Sequence, residues 1–111
     1  MEIGIDIVEN RRIEKSLNEN FISKVLTHNE YLIYKQKKGK KQLEFICGRF
    51  CAKEAIIKCI SDFENPPMKD IEILNNSNGK PMVKYKNYNI LITISHEINY
   101  TAAFAILKNN V

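Results

Sequence analysis

The sequence lacks the features that mark a membrane protein or a disulfide-stabilised secreted protein. No apolar run in its 111 residues approaches the roughly 20 residues that a bilayer-spanning helix needs. It has only three cysteines, an odd number, and no recognisable signal-peptide pattern. We therefore expect free thiols in a cytoplasmic protein without a membrane partner. Pairs of histidine and cysteine at zinc-ligand spacing are also missing, which argues against a structural zinc site.

The overall composition is that of an ordinary globular domain. Hydrophobic residues make up 44% and charged residues 27% of the chain, a balance that excludes wholesale disorder. Its length fits a single domain over residues 1–111, and we find no internal repeat. The net charge of +4 indicates an anionic partner. Charge alone leaves a phosphate ligand, a nucleic acid and an acidic protein equally open.

The most informative stretch is residues 43–60, LEFICGRFCAKEAIIKCI, which predicts one long helix. Its apolar side chains lie nearly all round the circumference, so the helix should be buried. Glu54 and Lys58 nevertheless share one narrow face, and Arg49 and Lys53 share another, each pair being four residues apart. Charges on a buried helix are costly unless they are paired or contact a group outside the helix. Glu54 and Lys58 are therefore either a simple helix ion pair or part of a site.

Residues 2–9 alternate as in a half-buried strand. The alternation places Ile3, Ile5 and Ile7 on one face, and Gly4, Asp6 and Val8 on the other. Aspartate is depleted in strands, so Asp6 is either a solvent-facing or strand-end residue or part of a site. Gly4 on the same face favours the site, because a missing side chain lets a ligand or another backbone approach.

The remaining segments complete an α+β pattern. Residues 10–25 are weakly helical, and Thr27 and Glu30 have the spacing of a capping box that opens another helix. The lysine-rich residues 35–41 are more typical of a solvated turn than of a nucleic-acid patch, because no aromatic residues are interleaved with them.

Strands are predicted over 71–74, 82–85, 90–95 and 100–107, the first two joined by a turn with Asn78-Gly79 at its tip. The order of a strand, then helices, then antiparallel strands predicts an α+β domain. In it, a small antiparallel sheet packs on the long central helix, with additional helices in the N-terminal part.

Five short motifs match one family when they are taken in order. They are GIDIVE at 4–9, LTHNE at 26–30, RFCAKEA at 49–55 followed by Lys58, NGKP at 78–81, and ISH at 94–96 followed by Tyr100 and Ala102-Ala103. Any one would be weak, but five with compatible spacing are specific. The sequence thus resembles the holo-acyl-carrier-protein synthase family, the small bacterial 4′-phosphopantetheinyl transferases.

The resemblance implies an activity and a set of partners. The expected reaction transfers the 4′-phosphopantetheine arm of coenzyme A to a serine of an apo acyl carrier protein in fatty acid biosynthesis. It depends on Mg²⁺ and releases adenosine 3′,5′-bisphosphate. Members of this size are typically homotrimers whose active sites lie between subunits. The all-round apolar character of the central helix agrees with burial by symmetric closure.

Asp6 and Glu54 are the expected catalytic pair and metal ligands. Mg²⁺ is held by one or two carboxylates together with water and phosphate oxygens. Two carboxylates about 4 Å apart repel by roughly 4 kcal/mol at an effective dielectric of 20, and a bound cation would explain their convergence. Lys58, one helical turn after Glu54, is placed to reach a pyrophosphate oxygen and act as the third catalytic residue.

Other roles are carried over from the resemblance. The coenzyme A cleft would be lined by Arg49, Lys53, Lys58, Lys80, Pro81, Ser95 and His96, with Arg49 close to the nucleotide phosphates. A basic surface for the acidic carrier protein would consist of Arg11, Arg12 and Lys24. Glu9 has either an indirect supporting role or acts as a general base through water, and the sequence does not separate these roles.

Two differences from the family and two rival functions bear on these expectations. The family's glycine-rich stretch after the central helix is replaced by CISDFE at 59–64, and the connection over 85–90 is short. One rival is a nucleic-acid-binding module that uses the lysines of 35–41 and the first helix. The other is a trimeric relative that binds coenzyme A but has lost turnover.

Overall fold

A computed structural model describes residues 1–109. Strand β1 (Glu2–Glu9) is followed by four helices, which are α1 (Asn10–Ser16), α2 (Glu19–Val25), α3 (His28–Gln36) and α4 (Gly39–Cys59). A 3₁₀ turn at Met68–Asp70 then precedes strands β2 (Glu72–Asn75), β3 (Pro81–Lys84), β4 (Asn89–His96) and β5 (Tyr100–Asn109). The predicted α+β class is confirmed. Over the described ranges, no helix is both long enough and apolar enough to span a bilayer.

Two antiparallel sheets flank helix α4. Strands β1, β5 and β4 form a three-stranded sheet in that order, while β2 and β3 form the predicted hairpin. Gly79 in the hairpin turn has φ +84°, the left-handed conformation that the Asn-Gly signal predicts. Apolar residues of α4, β4 and β5 make the main core, with Ile56, Ile92 and Ala105 among its members.

Helix α4 lies directly against β1 at Gly4. A Cβ atom built on Gly4 would overlap the carbonyl oxygen of Ala55 and lie 2.9 Å from the amide nitrogen of Cys59. Only glycine permits two backbones to approach this closely. The expected close approach is therefore confirmed, and the approaching group is the helix backbone. Asp6, two residues further along the same face of β1, is consequently carried to the side of α4.

Two helical predictions need correction. Residues 10–25 form two helices rather than one, because Asn18 caps α2 by accepting a hydrogen bond from the amide of Phe21 at 2.8 Å. The lysine-rich stretch is mostly helical rather than a turn, since only Lys37 and Lys38 separate α3 from α4. By contrast, the capping box of Thr27 and Glu30 at the start of α3 is confirmed.

The surplus apolar surface lies on the sheet and not on the central helix. This chain alone buries ten residues of α4, so the helix needs no further cover. The opposite face of the sheet is open, and Ile3, Ile5 and Ile7 are 63%, 64% and 65% exposed. Three neighbouring isoleucines with this exposure are the mark of an interaction surface.

A buried ionic cluster joins α4 to the N-terminal helices. Lys53 and Glu30 are fully buried, and the Lys53 ammonium donates to the Glu30 carboxylate and, at 2.7 Å, to the Val25 carbonyl. Glu30 also accepts from the Ile73 amide at 2.8 Å, and Arg49 donates to the Ile73 carbonyl at 3.0 Å. Burial lowers the pKa of Lys53, while the charge of Glu30 opposes that shift. The cluster therefore fixes α2, α3 and β2 onto one face of α4.

We expect Lys53→Met to destabilise the fold strongly, because it leaves the Glu30 carboxylate buried without its main counter-ion. Breaking a buried ion pair from one side typically costs about 3–5 kcal/mol. Urea denaturation followed by circular dichroism measures the free energy of unfolding, with the exposed Lys15→Met as the matched control. The double variant Lys53→Met/Glu30→Gln should lose less free energy of unfolding than the sum of the losses in the two single variants. Additive losses would contradict the pairing.

Candidate active site

Asp6 and Glu54 line one cleft of about 330 Å³ between β1, α1 and α4. Asp6 comes from the strand and Glu54 from the helix, and the contact at Gly4 brings these two elements together. The wall of the cleft also includes Glu9, Arg12, Ser16, Phe21 and Phe50. The predicted convergence of the two acids on a shared cavity is therefore observed within a single chain.

The electrostatics of the cleft show that the two carboxylates interact. The pKa of Glu54 is raised, first by burial and then by the negative charge of Asp6, with Lys58 partly opposing the shift. Placing two like charges in a partly desolvated cleft is unfavourable unless a cation joins them. The cleft therefore favours the binding of a cation.

Lys58 is paired with Asp6 rather than with Glu54. Its Nζ lies 3.2 Å from Oδ1 of Asp6 and donates to the carbonyl of Ile5 at 3.0 Å. The side chain of Lys58 is 55% exposed. An exposed pair of this kind contributes at most about 1 kcal/mol, so the ammonium can exchange Asp6 for a more strongly charged ligand.

The donor set fits a hard divalent cation. Asp6 and Glu54 offer only carboxylate oxygens, the ligands that Mg²⁺ takes when phosphate and water complete its coordination. Within residues 1–109, no group of three or more His, Cys, Asp or Glu side chains is arranged to enclose a metal. Glu9 lies in the wall of the same cleft.

Two residues expected in the coenzyme cleft have structural positions instead. Lys53 is fully buried against Glu30, so its expected place in a cleft is wrong for this chain. Arg49 is 6% exposed, bonds the carbonyl of Ile73 and the side chain of Asn75, and lies over the ring of Phe45. Nε and Nη2 of its guanidinium are thus engaged within the protein, and its expected contact with nucleotide phosphates stays a prediction.

The other expected coenzyme residues lie outside the Asp6–Glu54 cleft. Lys80 and Pro81 line a shallow cleft on the outer face of the main sheet, and Ser95 lines another that includes Ile5. His96, at the end of β4, is exposed and lies beside Gly48 of α4. One chain therefore brings Asp6, Glu54 and Lys58 together, but not the rest of the expected coenzyme site.

The expected carrier-protein residues are exposed on the N-terminal helices. Arg11 and Arg12 belong to α1, and Lys24 lies in the last turn of α2. Arg12 also lines the Asp6–Glu54 cleft, which the sequence did not indicate. The basic surface thus begins at the edge of the candidate active site.

The aromatic wall of the cleft was not predicted from the sequence. Phe21 of α2 and Phe50 of α4 stack with their ring centroids 5.8 Å apart, next to the carboxylates. Such a wall limits the access of water to the cleft, and this strengthens the electrostatic interactions of nearby charges. Phe50 follows Arg49 in the RFCAKEA motif, but only the path of α2 shows its partner.

The segment that replaces the family's glycine-rich stretch is anchored away from the cleft. The Glu64 carboxylate accepts hydrogen bonds from Tyr85 at 2.5 Å, Tyr88 at 2.6 Å and Lys86 at 2.8 Å. The bonds from Lys86, Tyr85 and Tyr88, in decreasing order, lower the pKa of Glu64 to about 2. The carboxylate is thereby held by the short 85–90 connection rather than turned toward an anionic ligand.

Comparisons with known proteins show the family to which the chain is related. A family model for the 4′-phosphopantetheinyl transferase superfamily matches residues 2–106. The holo-(acyl-carrier-protein) synthase of Geobacillus sp. strain WCH70 is 44% identical over 112 residues, covering 96% of this chain and 94% of the relative. The synthase of Mycoplasma capricolum is 45% identical over 105 residues, covering 94% and 91%.

The fold is shared with a solved structure. The crystal structure of a holo-(acyl-carrier-protein) synthase from Bacillus anthracis in complex with CoA (3′,5′-ADP) matches with a TM-score of 0.87 at 37% identity. The match covers 96% of this chain and 94% of that one.

We expect Glu54→Gln to stabilise the protein at neutral pH. Because the pKa of Glu54 is raised in the folded state, its ionisation lowers stability as the pH rises through that carboxyl's titration range. The glutamine amide does not ionise, so the melting temperature of the variant should exceed that of the parent at pH 7.5. The difference should vanish at a pH low enough to protonate Glu54.

The same melting curves test the cation site. Added Mg²⁺ should raise the melting temperature of the parent, because it binds the folded state only, and should leave Glu54→Gln nearly unchanged. The exposed Asp70→Asn serves as the control and should respond to Mg²⁺ like the parent. A variant that melts below the parent at neutral pH, or that still responds to Mg²⁺, would oppose this description of the cleft.

Proposed function

The chain belongs to the 4′-phosphopantetheinyl transferase superfamily, and from that premise we propose that it is a holo-acyl-carrier-protein synthase. A serine hydroxyl of the apo carrier protein attacks the coenzyme A phosphorus that bears the pantetheine arm. The bond from that phosphorus to the bridging pyrophosphate oxygen breaks, adenosine 3′,5′-bisphosphate leaves, and the serine proton passes to a base or to water. The reaction would serve fatty acid biosynthesis in the cytoplasm.

The convergence of Asp6 and Glu54 on one cleft is the observation that carries this proposal. Phosphoryl transfer needs positioning and neutralisation of spreading charge more than covalent chemistry by the protein. The two acids would hold Mg²⁺, which when bound supplies positive charge to the pyrophosphate oxygens. Because Asp6 and Glu54 come from different elements, the ion would be fixed relative to both β1 and α4.

Lys58 would stabilise the charge that develops during transfer. Its ammonium now bonds Asp6 and the Ile5 carbonyl at the edge of the cleft, and more than half of its side chain is exposed. A short rotation of this flexible side chain would carry it to a pyrophosphate oxygen. Glu9, in the same cleft wall, either supports the arrangement indirectly or accepts the serine proton through water.

Coenzyme A binding would require more than one copy of the chain. Lys80, Pro81, Ser95 and His96 are proposed to contact the coenzyme with Lys58, yet they lie outside the Asp6–Glu54 cleft. The exposed isoleucines of β1 share the outer sheet face with two clefts that these residues line. Packing of this face in a homotrimer would bury the isoleucines and could complete each active site between neighbours.

The basic residues beside the cleft would receive the carrier protein. Arg11, Arg12 and Lys24 are exposed on α1 and α2, and Arg12 reaches the wall of the cleft. Positive charge at this rim would attract an acidic carrier protein and mainly raise its association rate in a salt-sensitive way. It would also bring the acceptor serine toward the carboxylates.

We expect the protein, incubated with coenzyme A, Mg²⁺ and an apo carrier protein, to increase the carrier's mass by one phosphopantetheine arm. Asp6→Asn, Glu54→Gln and Lys58→Met should each lower the rate about 100-fold or more, since each removes transition-state charge stabilisation. Mass spectrometry of the carrier protein measures the product, and Asp70→Asn is the control that should stay active.

The mass measurement, together with two binding measurements, distinguishes the enzyme from its two rival functions. A relative that binds coenzyme A without turnover would bind it calorimetrically but leave the carrier mass unchanged. A nucleic-acid-binding module would bind an oligonucleotide with strongly salt-dependent affinity and would not need Glu54. No mass gain with a known acceptor carrier protein would overturn the enzymatic proposal.

We also expect the parent to sediment as a trimer and Ile5→Asp to sediment as a monomer. Ile5 is 64% exposed in the single chain, so the charge disturbs the interface without disturbing the core. Analytical ultracentrifugation measures the mass, and transfer activity should fall together with assembly if the site is shared. Leu32→Asp, at an exposed apolar residue of α3, is the matched control. A fully active monomer would exclude the shared site.

A further inference from the structure

A buried thiol joins helix α4 to the strand that carries Asp6. Sγ of Cys51 lies 3.3 Å from the carbonyl oxygen of Asp6 and 3.4 Å from that of Thr101. Carbonyl oxygens only accept hydrogen bonds, so the thiol is the donor, and its single proton is divided between the two oxygens. Cys51 is fully buried and free of any disulfide. The thiol therefore connects α4 to β1 and β5 at the level of Asp6.

A second thiol makes a matching contact about two helical turns further along α4. Sγ of Cys59 lies 3.2 Å from the carbonyl oxygen of Glu2 and 3.8 Å from that of Ala105. Glu2 belongs to β1 and Ala105 to β5, so both thiols reach the same two strands. The contact at Cys51 is consequently part of the way in which α4 lies along the sheet.

The contacts between α4 and β1 recur with a regular spacing. Midway between the two thiols, the main chain of Ala55 lies against Gly4. Successive contacts are thus four residues apart on one ridge of the helix and two residues apart on the strand. Four residues advance a helix by about 6 Å, and two residues advance a strand by about 6.6 Å. The two spacings nearly agree, so the thiols hold α4 in one register on β1.

The thiol of Cys51 also fixes the main chain of Asp6 relative to Glu54. Cys51 and Glu54 are three residues apart and are therefore neighbours on one turn of α4. The path between the main chains of the two acids consists of one hydrogen bond and one helical turn. Loss of the thiol would loosen this path, while the pairing of β1 with β5 would still hold the strand in the sheet.

We propose that Cys51 is a positioning residue whose thiol proton holds the main chain of Asp6 on α4, so that the carboxylates of Asp6 and Glu54 stand at the separation that binds one divalent cation. The cation in this inference rests on the proposed function. Groups that orient metal ligands from behind commonly affect metal affinity. Cys59 should have no such role, because neither of its carbonyl partners is among the residues that line the cleft.

The affinity for Mn²⁺ tests the positioning role, because the electron paramagnetic resonance signal of the free ion reports binding without any transfer reaction. We expect Cys51→Ala to weaken Mn²⁺ binding about 3- to 10-fold, the range of one neutral hydrogen bond. Cys59→Ala removes an equivalent thiol from the same helix and is the matched control. It should lower the melting temperature about as much as Cys51→Ala does, but keep the parent affinity for Mn²⁺. Equal affinities in the two alanine variants would overturn the inference.

A serine at the same position tests whether the proton or the volume of the thiol matters. Cys51→Ser keeps a hydrogen-bond donor, so its Mn²⁺ affinity should lie closer to that of the parent than to that of Cys51→Ala. An affinity as weak as that of Cys51→Ala would contradict the donor role.

The hydrogen bond itself is tested by the infrared S–H stretching band of the protein without added metal. The band that disappears in Cys51→Ala should lie at lower frequency than that of a thiol without a hydrogen bond. A band at the frequency of a free thiol would refute the hydrogen bond and the positioning role together.

Failure of the positioning role is distinguishable from failure of the proposed function. If the parent and Glu54→Gln bind Mn²⁺ equally weakly, the cation site falls and the role of Cys51 falls with it. If the parent binds Mn²⁺ and modifies the carrier protein, but Cys51→Ala binds Mn²⁺ as tightly, the positioning role falls alone. If Cys51→Ala alone weakens Mn²⁺ binding and no carrier protein is modified, the positioning role stands and the enzymatic proposal falls.

Discussion

The contact between the backbone of α4 and that of β1 at Gly4 is the constraint on which the site depends. A side chain at Gly4 would overlap the helix backbone, so the strand and the helix could not lie at their present separation. That separation sets how far Asp6 stands from Glu54, and hence whether one cation can contact both. The stability of the core and the geometry of the cleft are consequently determined by the same packing contact.

Helix α4 carries two kinds of charge, and their different environments explain their different roles. Lys53 faces the N-terminal helices and Arg49 faces strand β2, and both make hydrogen bonds inside the protein. Glu54 and Lys58 face β1 at an open cleft, where Asp6 makes the local charge unbalanced. A fully satisfied buried cluster favours a rigid frame, and an unbalanced accessible one favours ligand binding.

Local signals in the sequence predicted much of the fold. The alternation of β1, the capping box at Thr27 and the Asn-Gly turn are all determined by neighbouring residues, and all three are found in the structure. The convergence of Asp6 and Glu54 on one cleft could be anticipated because both residues break the pattern of their own element. Motif order then connected them to a family.

What the sequence could not provide depends on contacts between distant segments. The i,i+4 spacing of Arg49 and Lys53 is the same as that of a ligand site, and only the position of Glu30 shows that it is structural. Predicting the open face of the sheet requires knowledge of the side of β1 on which α4 packs. The alternation of apolar residues in β1 does not determine that side. The hydrogen bond that the Thr101 hydroxyl donates to Oδ1 of Asn10 joins residues far apart in sequence, and no local pattern reveals it.

Anomalous diffraction from crystals grown with Mn²⁺ and coenzyme A would show whether Asp6 and Glu54 bind one divalent ion. We expect a single strong peak within coordination distance of a carboxylate oxygen from each residue and of a pyrophosphate oxygen. A peak bound elsewhere, or carboxylates turned away from the pyrophosphate with no ion between them, would contradict it.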